Sequence, residues 1–319
     1  MNGKKWIALV LCVMMAACLA ACGNGTSGAK YTVGICQLAQ HEALDAATQG
    51  FRDALTKALG DQVAFDEQHA SGESANCPTI INSFVSKKVD LILANATSPL
   101  QAAASATKDI PILGTSVTDY ASALEIDNWS GTVGGNISGT SDLAPLDQQA
   151  AMIQEWFPDA RPVGLLYCSA ESNSKYQVDV MRGYLEQMGY TCQEFAFTDT
   201  NDVASVAQSA CDGSDVIYIP TDNTAANNTE AIANVVLPAK VPVIAGEEGL
   251  CRGCGVATLS ISYYDLGYIT GEMAAKILTG EQSISSMPVQ YAPQVTKMYQ
   301  PANCELLGLT APEGYDAMN

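Results

Sequence analysis

Histidine is scarce in this sequence, and the common catalytic motifs are missing. The 319 residues contain two histidines, His41 and His69, and no G-x-S-x-G, G-x-x-x-x-G-K or H-E-x-x-H pattern. Proton transfer by a general base would therefore depend on carboxylates that no pattern singles out. We predict a protein that is not an enzyme and that has no catalytic residue, no metal site and no cofactor.

Long apolar runs are confined to the N-terminus. Residues 6–22 are apolar, follow two lysines and end in LAAC, which is typical of the lipobox of bacterial lipoproteins. We interpret residues 1–22 as a lipoprotein signal peptide with a lipidated Cys22, and residues 23–30 as a flexible tether. A transmembrane anchor is the alternative. No later stretch approaches about 18 apolar residues, so we expect a soluble body held by lipid on the extracytoplasmic face of the cell membrane.

Basic side chains are few. The chain has 15 Lys and Arg against 34 Asp and Glu, and loss of residues 1–21 takes two lysines and no acid, which leaves 13 against 34 and a net charge of −21. A chain this acidic repels nucleic acid and anionic surfaces, so we expect no nucleic-acid partner. The apolar content of 48% excludes a disordered chain.

The cysteines offer half of a zinc site and no second half. Eleven are present, and eight remain once Cys12 and Cys18 leave with the signal peptide and Cys22 is lipidated. Cys251 and Cys254 stand two residues apart, far in sequence from either histidine. Because pairing is not readable from spacing, a loop disulfide or two unpaired thiols are the alternatives at this pair.

The chain repeats itself. Segments beginning at Tyr31 and Arg161 share one order: a strand containing Val-Gly, a polar loop, a helix and a second strand. The predicted apolar helix positions are Ala47, Phe51, Ala54 and Leu55 in the first segment, and Val180, Tyr184, Leu185 and Met188 in the second. This order predicts right-handed βαβ units and an α/β fold of two similar Rossmann-like domains with parallel sheets. We assign residues 31–140 and 262–287 to one domain and residues 141–261 and 288–319 to the other, so that a three-segment hinge joins them.

Ligands bind at the carboxyl ends of the strands in such sheets, and these ends would line the cleft between the two domains. Polar residues cluster at several predicted strand ends. They are Gln37, Gln40 and His41; Thr97 and Ser98; Ser141 and Asp142 at the hinge; Ser169, Glu171, Ser172, Asn173 and Ser174; and Asp222 and Asn223. Tyr218 lies within a strand and is expected in the core.

Several segments resemble one known family. They are VGICQLAQHEALDAATQGFRDAL, ATSPLQAAASATKDIPIL, GGNISGTSD, YCSAESNSKYQ, PTDNT and DLGYITGEMAAKIL, and they span nearly the whole chain after the signal peptide. The chain resembles the substrate-binding lipoproteins of bacterial ABC importers with a type I periplasmic binding fold, in the branch associated with tryptophan, tyrosine and phenylalanine uptake. It differs from that pattern by Glu42, where the family usually has Pro, and by the Cys251 and Cys254 pair.

The resemblance implies a free amino acid as ligand, which brings an ammonium and a carboxylate that both need partners when desolvated. We predict that Asp222 binds the ammonium with Asn223 beside it, although an aspartate that caps the next helix is an alternative. Hydroxyl groups and helix N-termini would hold the carboxylate, and an aromatic ring would need apolar walls. The carboxylate candidates are Thr97, Ser98, Asn173 and Ser174, each also an ordinary helix cap, and the ring candidates are Tyr176, Tyr120, Trp129 and Gln37.

The expected partners are therefore an amino acid, an ABC permease with its ATPase, and the membrane through the lipid. We expect a monomer that closes about its hinge around the ligand. The alternatives are the same fold binding a sugar or a nucleoside, and a lipoprotein that senses ligands or mediates adhesion.

Overall fold

A computed structural model describes residues 28–318 of the chain. The predicted signal peptide, the lipidated Cys22 and most of the tether lie outside the described residues. Within residues 28–318, no helix combines the length and the apolar character that crossing a membrane requires.

The first half of the chain alternates strands and helices. Its strands are β1 (Tyr31–Gln37), β2 (Val63–His69), β3 (Leu91–Asn95), β4 (Ile112–Val117) and β5 (Ile137–Ser141). Its helices are α1 (Glu42–Leu59), α2 (Cys77–Lys87), α3 (Thr97–Ala106) and the single turn α4 (Tyr120–Ala123). Strands β3, β4 and β5 are buried along their whole length, which is expected of parallel strands covered by helices on both faces.

The second half repeats this alternation. Its strands are β6 (Val163–Cys168), β7 (Cys192–Phe197), β8 (Val216–Ile219), β9 (Val243–Ala245) and β10 (Ala257–Ser260), followed by β11 (Gln290–Tyr291), β12 (Thr296–Tyr299) and β13 (Asp316–Ala317). Its helices are α5 (Leu146–Trp156), α6 (Ser172–Gln187), α7 (Val203–Gly213), α8 (Asn223–Ala226), α9 (Thr229–Ala239), α10 (Glu248–Cys254), α11 (Tyr263–Thr279) and α12 (Pro301–Leu307).

The strands form two sheets of the same design. One has the order β11-β5-β4-β3-β1-β2 and is parallel throughout, and the other has the order β13-β12-β10-β9-β8-β6-β7. In the second sheet β10 and β12 run antiparallel, and the other pairs are parallel. The core order 2-1-3-4-5 therefore occurs twice, which matches the repeat in the sequence and confirms the predicted fold class.

The chain crosses between the two halves three times. It leaves the first sheet after β5, returns after β10 to form α11, and leaves again between β11 and β12. The third crossing lies later than the sequence predicted. Gln290 and Tyr291 pair with β5 in the first sheet, so the boundary placed at residues 287 and 288 moves to a position after Tyr291.

Helices α1 and α11 pack unusually closely on the first sheet. A Cβ atom at Gly267 would lie 1.9 Å from the carbonyl oxygen of Ala47, and one at Gly50 would lie 2.1 Å from that of Tyr264. Only hydrogen fits at these two contacts. The close approach fixes α11, which enters from the second domain, onto the first.

The predicted helix faces are correct in one repeat and shifted in the other. The four positions predicted in α1 are all buried. In α6 the buried apolar residues are Val178, Met181 and Leu185, whereas Tyr184 is exposed and Val180 and Met188 are half-buried at the edge of the core. The apolar positions of this helix form two stripes, and the sequence alone does not say which one faces the sheet.

Candidate functional site

A narrow cavity lies between the two domains at the carboxyl ends of their strands. Its walls lie close together and leave a free volume of about 10 Å³, which is room for about one water molecule. The lining residues are His41, Ala43, Leu44, Ser116, Thr118, Asp142, Asn173, Thr221, Asp222, Asn223, Ala226, Glu247 and Tyr263. Residues from both domains therefore enclose one space, as expected for a cleft that has closed.

Three buried carboxyl groups line this cavity. Asp142, Asp222 and Glu247 are 2%, 1% and 3% exposed, and no Lys or Arg is among the lining residues. Burial raises the pKa of Asp222 and of Glu247 to about 7, and it also raises the pKa of Asp142. His41 brings no compensating charge, because burial lowers its pKa. The cavity is therefore suited to a cationic group.

The two carboxyl oxygens of Asp142 differ in their hydrogen bonding. The Tyr263 hydroxyl donates to its Oδ2 at 2.9 Å. Its Oδ1 is buried without a hydrogen-bond partner among residues 28–318, although the Thr118 hydroxyl lies close enough to lower the pKa of the carboxyl. The Ser116 hydroxyl, on the same cavity wall, is likewise buried without a partner in this part of the chain. Buried polar atoms are rarely left without partners in native proteins, so both atoms are candidates to contact a ligand.

Asp222 uses both of its oxygens within the protein. Oδ1 accepts from the backbone N–H of Ala225 at 2.8 Å and caps α8, while Oδ2 accepts from the backbone N–H of Cys168 at 2.6 Å. Glu247 is similar, since it accepts from the backbone N–H groups of Gly249 and Leu250 at the start of α10. Their charge faces the cavity, but their oxygens are already bonded. The capping role that the sequence left as an alternative for Asp222 is therefore present.

Glu171 organises the loops on one side of the cavity. It is buried, and its carboxylate accepts from the backbone and side-chain groups of Asn223, from those of Thr224, and from the Asn173 amide at distances between 2.8 and 3.1 Å. Four of these bonds join the loop after β6 to the loop after β8, and the fifth holds Asn173 to Glu171 within the segment after β6. Asn173 and Asn223 are thereby held at the cavity wall.

We expect Glu171→Ala to destabilise the second domain by about 3 kcal/mol, because it leaves several buried donors without an acceptor. Glu171→Gln keeps one acceptor oxygen and is expected to lose less. Denaturant unfolding followed by circular dichroism measures both variants. The control is Glu186→Ala, which removes an exposed glutamate in α6. Its free energy of unfolding is expected to stay within about 0.5 kcal/mol of that of the parent. A Glu171→Ala variant as stable as this control would contradict the assigned role.

Two contacts bridge the domains at the mouth of the cavity. His41 Nε2, from the first domain, lies 3.3 Å from Asn223 Oδ1 in the second. Glu42 pairs with Arg252 of α10 at 3.2 Å, so the residue that departs from the family pattern makes an ion pair across the cleft. Both contacts require the two domains to be close together.

The structure brings some of the predicted site residues together. Asp142, Asn173, Asp222 and Asn223 line the cavity. Ser141 and Ser174 form hydrogen bonds with the lining residues Thr118 and Asn173. The remaining four are not among the lining residues. They are Gln37, Thr97, Ser98 and Tyr176.

These four have other surroundings, and Thr97 is a buried residue at the first position of α3. The Gln37 amide donates to the Ala39 carbonyl and to Asp45, and it accepts from Thr48, so its polar atoms are used. Ser98 accepts from the Ser74 hydroxyl near the surface. Tyr176 is half-buried beyond the cavity.

The other ring candidates pack inside the first domain. Tyr120 is buried and donates to the Thr140 carbonyl, and Trp129 stacks on it with ring centroids 6.4 Å apart. Tyr218 is buried in the second domain, as predicted for a core residue.

Sequence reasoning missed Glu247, Ser116 and Tyr263, and also Thr118 and Thr221, among the lining residues. Glu247 follows β9, so the rule that selected Asp222 after β8 would have selected it as well. Ser116 lies in β4 with φ of +54°, a backbone strain that no sequence pattern indicates. Tyr263 lies on the second crossing between domains, where position alone gives no signal. Within residues 28–318, no group of three or more His, Cys, Asp and Glu side chains could hold a metal ion.

Comparison with known proteins agrees with this geometry. The model of a family described as ABC transporter substrate binding protein matches residues 32–315. The chain belongs to this family. It is thus a substrate-binding protein of an ABC transporter, and the resemblance found in the sequence is confirmed.

One curated relative and two solved structures are similar to this substrate-binding protein. A curated relative from Clostridioides difficile (strain R20291), named tyrosine-binding protein, is 37% identical over 260 residues, which are 81% of this chain and 75% of the relative. A crystal structure from Streptococcus pneumoniae in complex with L-Trp is 30% identical with a TM-score of 0.85, over 91% of this chain and 100% of that one. The ligand-free, open structure of a Clostridium difficile substrate-binding protein with adhesive properties is 36% identical with a TM-score of 0.69, over 90% and 99% of the two chains.

Proposed function

We propose that this protein binds a free aromatic amino acid in the cleft between its domains, which must open beyond the state described here to admit it, and delivers it to an ABC permease. The observation that carries the proposal is the set of three buried carboxyl groups with no basic side chain among the lining residues. Burying carboxylates without a counter-charge is costly, and a ligand ammonium offsets that cost. The relatives named for tyrosine and solved with L-Trp support an aromatic side chain on the ligand.

The ammonium is assigned to Asp142 and no longer to Asp222. The free Oδ1 of Asp142 offers it a direct partner, while the charges of Asp222 and Glu247 act across the cavity with their oxygens bonded to backbone. The unpartnered Ser116 hydroxyl is the donor that we assign to the ligand carboxylate. The apolar atoms of Ala43, Leu44 and Tyr263 form the wall available to the ring.

The closed arrangement supports ligand capture by hinge closure. The chain has a TM-score of 0.85 with the L-Trp complex and 0.69 with the ligand-free, open protein, although the open protein has the higher sequence identity. His41–Asn223 and Glu42–Arg252 join the domains in this state. The ligand meets one domain, and the other then closes to complete its hydrogen bonds and exclude water.

The cellular setting completes the proposal. The chain acts as a monomer anchored by a lipid on Cys22 at the extracytoplasmic face, and it presents the closed form to a permease with its ATPase. It releases its ligand chemically unchanged. A sugar or nucleoside is a poorer fit, because a neutral ligand would leave three buried carboxyl groups without a counter-charge.

The test is a calorimetric and thermal-shift panel on the chain from residue 28 onward. It contains the twenty amino acids, sugars, nucleosides and two tyrosine analogues: tyramine, which lacks the carboxylate, and 3-(4-hydroxyphenyl)propionate, which lacks the ammonium. A ligand at about 100 times its dissociation constant should add about 2.7 kcal/mol of stability. We expect tyrosine, tryptophan or phenylalanine to bind, tyramine to bind more weakly, and the propionate to fail. Binding of a sugar or nucleoside alone would refute the proposal.

Ligand affinity should depend on pH in the range where the cavity carboxyls titrate. A carboxyl with a pKa of about 7, as for Asp222 and Glu247, must lose its proton before an ammonium gains from its charge. For one such group, affinity should fall about tenfold as the pH falls from about 8 to about 6, and binding should release protons. Titration calorimetry in two buffers of different ionisation enthalpy measures the proton count. If the affinity does not change over this pH range, these carboxyls do not face the ammonium.

The ligand-free protein should show the opposite trend in stability. In the unfolded chain these carboxyls titrate near pH 4, below their pKa in the folded state, so the folded state holds protons that the unfolded state has lost. Stability is therefore expected to decrease as the pH rises from about 4 to about 7, and to change little from this cause above that.

A further inference from the structure

A hydrogen bond joins two of the three segments at which the chain crosses between the domains. Asp142 directly follows β5 at the first crossing, and Tyr263 begins α11 after the second. The Tyr263 hydroxyl donates to Asp142 Oδ2 at 2.9 Å, and both residues are buried. Both also line the cavity. One bond therefore connects the hinge to the carboxyl that we assign to the ligand ammonium.

The backbone around Asp142 is anchored independently of this bond. The Asp142 N–H donates to the Val117 carbonyl at 3.2 Å, at the end of β4. On the preceding residue, the Ser141 hydroxyl donates to the Thr118 carbonyl at 2.8 Å and accepts from the backbone N–H of Leu143 at 3.2 Å. These bonds fix the main chain, whereas the carboxyl can still rotate about its side-chain torsions. The bond from Tyr263 to Oδ2 restricts that rotation.

Tyr263 is itself held on a rigid support. Its ring belongs to a buried apolar cluster that includes Ala43 and Ala47 of α1 and Leu266 of α11. Four residues after Tyr263, Gly267 lies directly against the Ala47 carbonyl, so α11 is closely fixed to α1. A hydroxyl supported in this way keeps one position, and it thereby preorganises the carboxyl that accepts from it.

We propose that Tyr263 is a positioning residue for ligand binding: its hydroxyl orients the Asp142 carboxyl so that Oδ1 stays available to the ligand ammonium. This inference rests on the proposed function and extends it to a residue that supplies no charge of its own. Burial raises the pKa of Asp142, and the hydrogen bond from Tyr263 opposes that rise, since it favours the ionised carboxyl. Because both residues lie on crossing segments, about which the domains rotate, the carboxyl is held in place before the cleft closes.

Tyr263→Phe tests the proposal, because it removes the hydroxyl and keeps the ring that forms part of the cavity wall. Titration calorimetry on the full chain in detergent measures the affinities for L-tyrosine, L-tryptophan and L-phenylalanine. For those that the parent binds, we expect the variant to lose at least about tenfold, as hydrogen bonds to charged groups commonly contribute that much. The matched control is Tyr264→Phe, which removes the neighbouring hydroxyl. That hydroxyl donates to Asp53 Oδ2 at 3.0 Å on the exposed side of the first domain, so the control should bind as the parent does.

The same substitution in an Asp142→Asn background separates positioning from a general effect on the fold. Asparagine offers no charge to position, so Tyr263→Phe should change the remaining affinity by less than about threefold there. An equal loss in both backgrounds would show that Tyr263 does not act through Asp142, and it would overturn the proposal.

Two further outcomes bear on the proposal. Circular dichroism of ligand-free Tyr263→Phe should match that of the parent, and an unfolded variant would assign the hydroxyl a structural role and overturn the positioning role. Parent-like affinity in folded Tyr263→Phe would overturn this inference alone and leave the proposed function standing. If the parent binds none of the three amino acids, the proposed function fails and this inference fails with it.

Discussion

Asp142→Asn is expected to weaken amino-acid binding at least about 100-fold. The asparagine keeps the size of the side chain and can still accept from the Tyr263 hydroxyl, but it offers no charge to a ligand ammonium. Truncating one partner of a buried, hydrogen-bonded charge pair costs about 2–5 kcal/mol, and 100-fold corresponds to about 2.7 kcal/mol. Titration calorimetry with the amino acid found in the ligand panel measures the loss.

A matched control separates this effect from a change in net charge or folding. Asp147→Asn makes the same substitution at an exposed position five residues later and should leave the affinity unchanged. Burial raises the pKa of Asp142, so its removal should leave the ligand-free protein at least as stable as the parent above pH 7. Loss of binding together with loss of stability would indicate a structural role. Full binding would refute the ammonium assignment.

Gly267→Leu is expected to destabilise the first domain by at least about 3 kcal/mol. Even the first carbon of a side chain would lie 1.9 Å from the Ala47 carbonyl oxygen, and the obstacle is backbone, which has no rotamer to move away. Helices α1 and α11 would have to separate along their contact. Urea unfolding followed by circular dichroism should show an earlier first transition with the second domain unaffected.

The control for this change is Gly183→Ala in α6, where an added Cβ meets nothing within 4 Å. An alanine within a helix is favoured over glycine by about 0.5–1 kcal/mol, so this variant should be slightly more stable than the parent. If Gly267→Leu were as stable as Gly183→Ala, the two helices would be free to move apart without cost. The close packing would then not be what fixes α11 on the first domain.

The fold was predictable because it depends on order and periodicity. The repeated strand–helix–strand order identified parallel sheets in both halves, and the apolar stripe of α1 was correct to the residue. The stripe predicted for α6 is fully buried only at Leu185, because two apolar faces compete on one helix. The third crossing was misplaced because β11 is two residues long and carries little pattern of its own.

The site was predictable only in outline. Asp142, Asn173 and Asp222 were predicted because they follow predicted strands, and in this topology residues that follow the strands lie at the cleft. The sequence could not show which polar atoms remain available there. Asp222 carries the more prominent motif, yet its oxygens are bonded to backbone, while Asp142 retains a free one. Gln37 is not among the lining residues, and its side-chain amide already forms hydrogen bonds with Asp45 and Thr48, eight and eleven residues later in the chain.

The uncompensated carboxyls of the cavity also bear on the energetics of transport. Above about pH 7, where Asp222 and Glu247 are ionised, closing the two domains without a ligand would move acidic groups out of water with no cation beside them, so the empty protein should rest open in that range. A permease that accepts the closed form would then encounter it mainly in the loaded state. Empty binding proteins would seldom trigger ATP hydrolysis, and each catalytic cycle of the transporter would remain tied to one imported molecule.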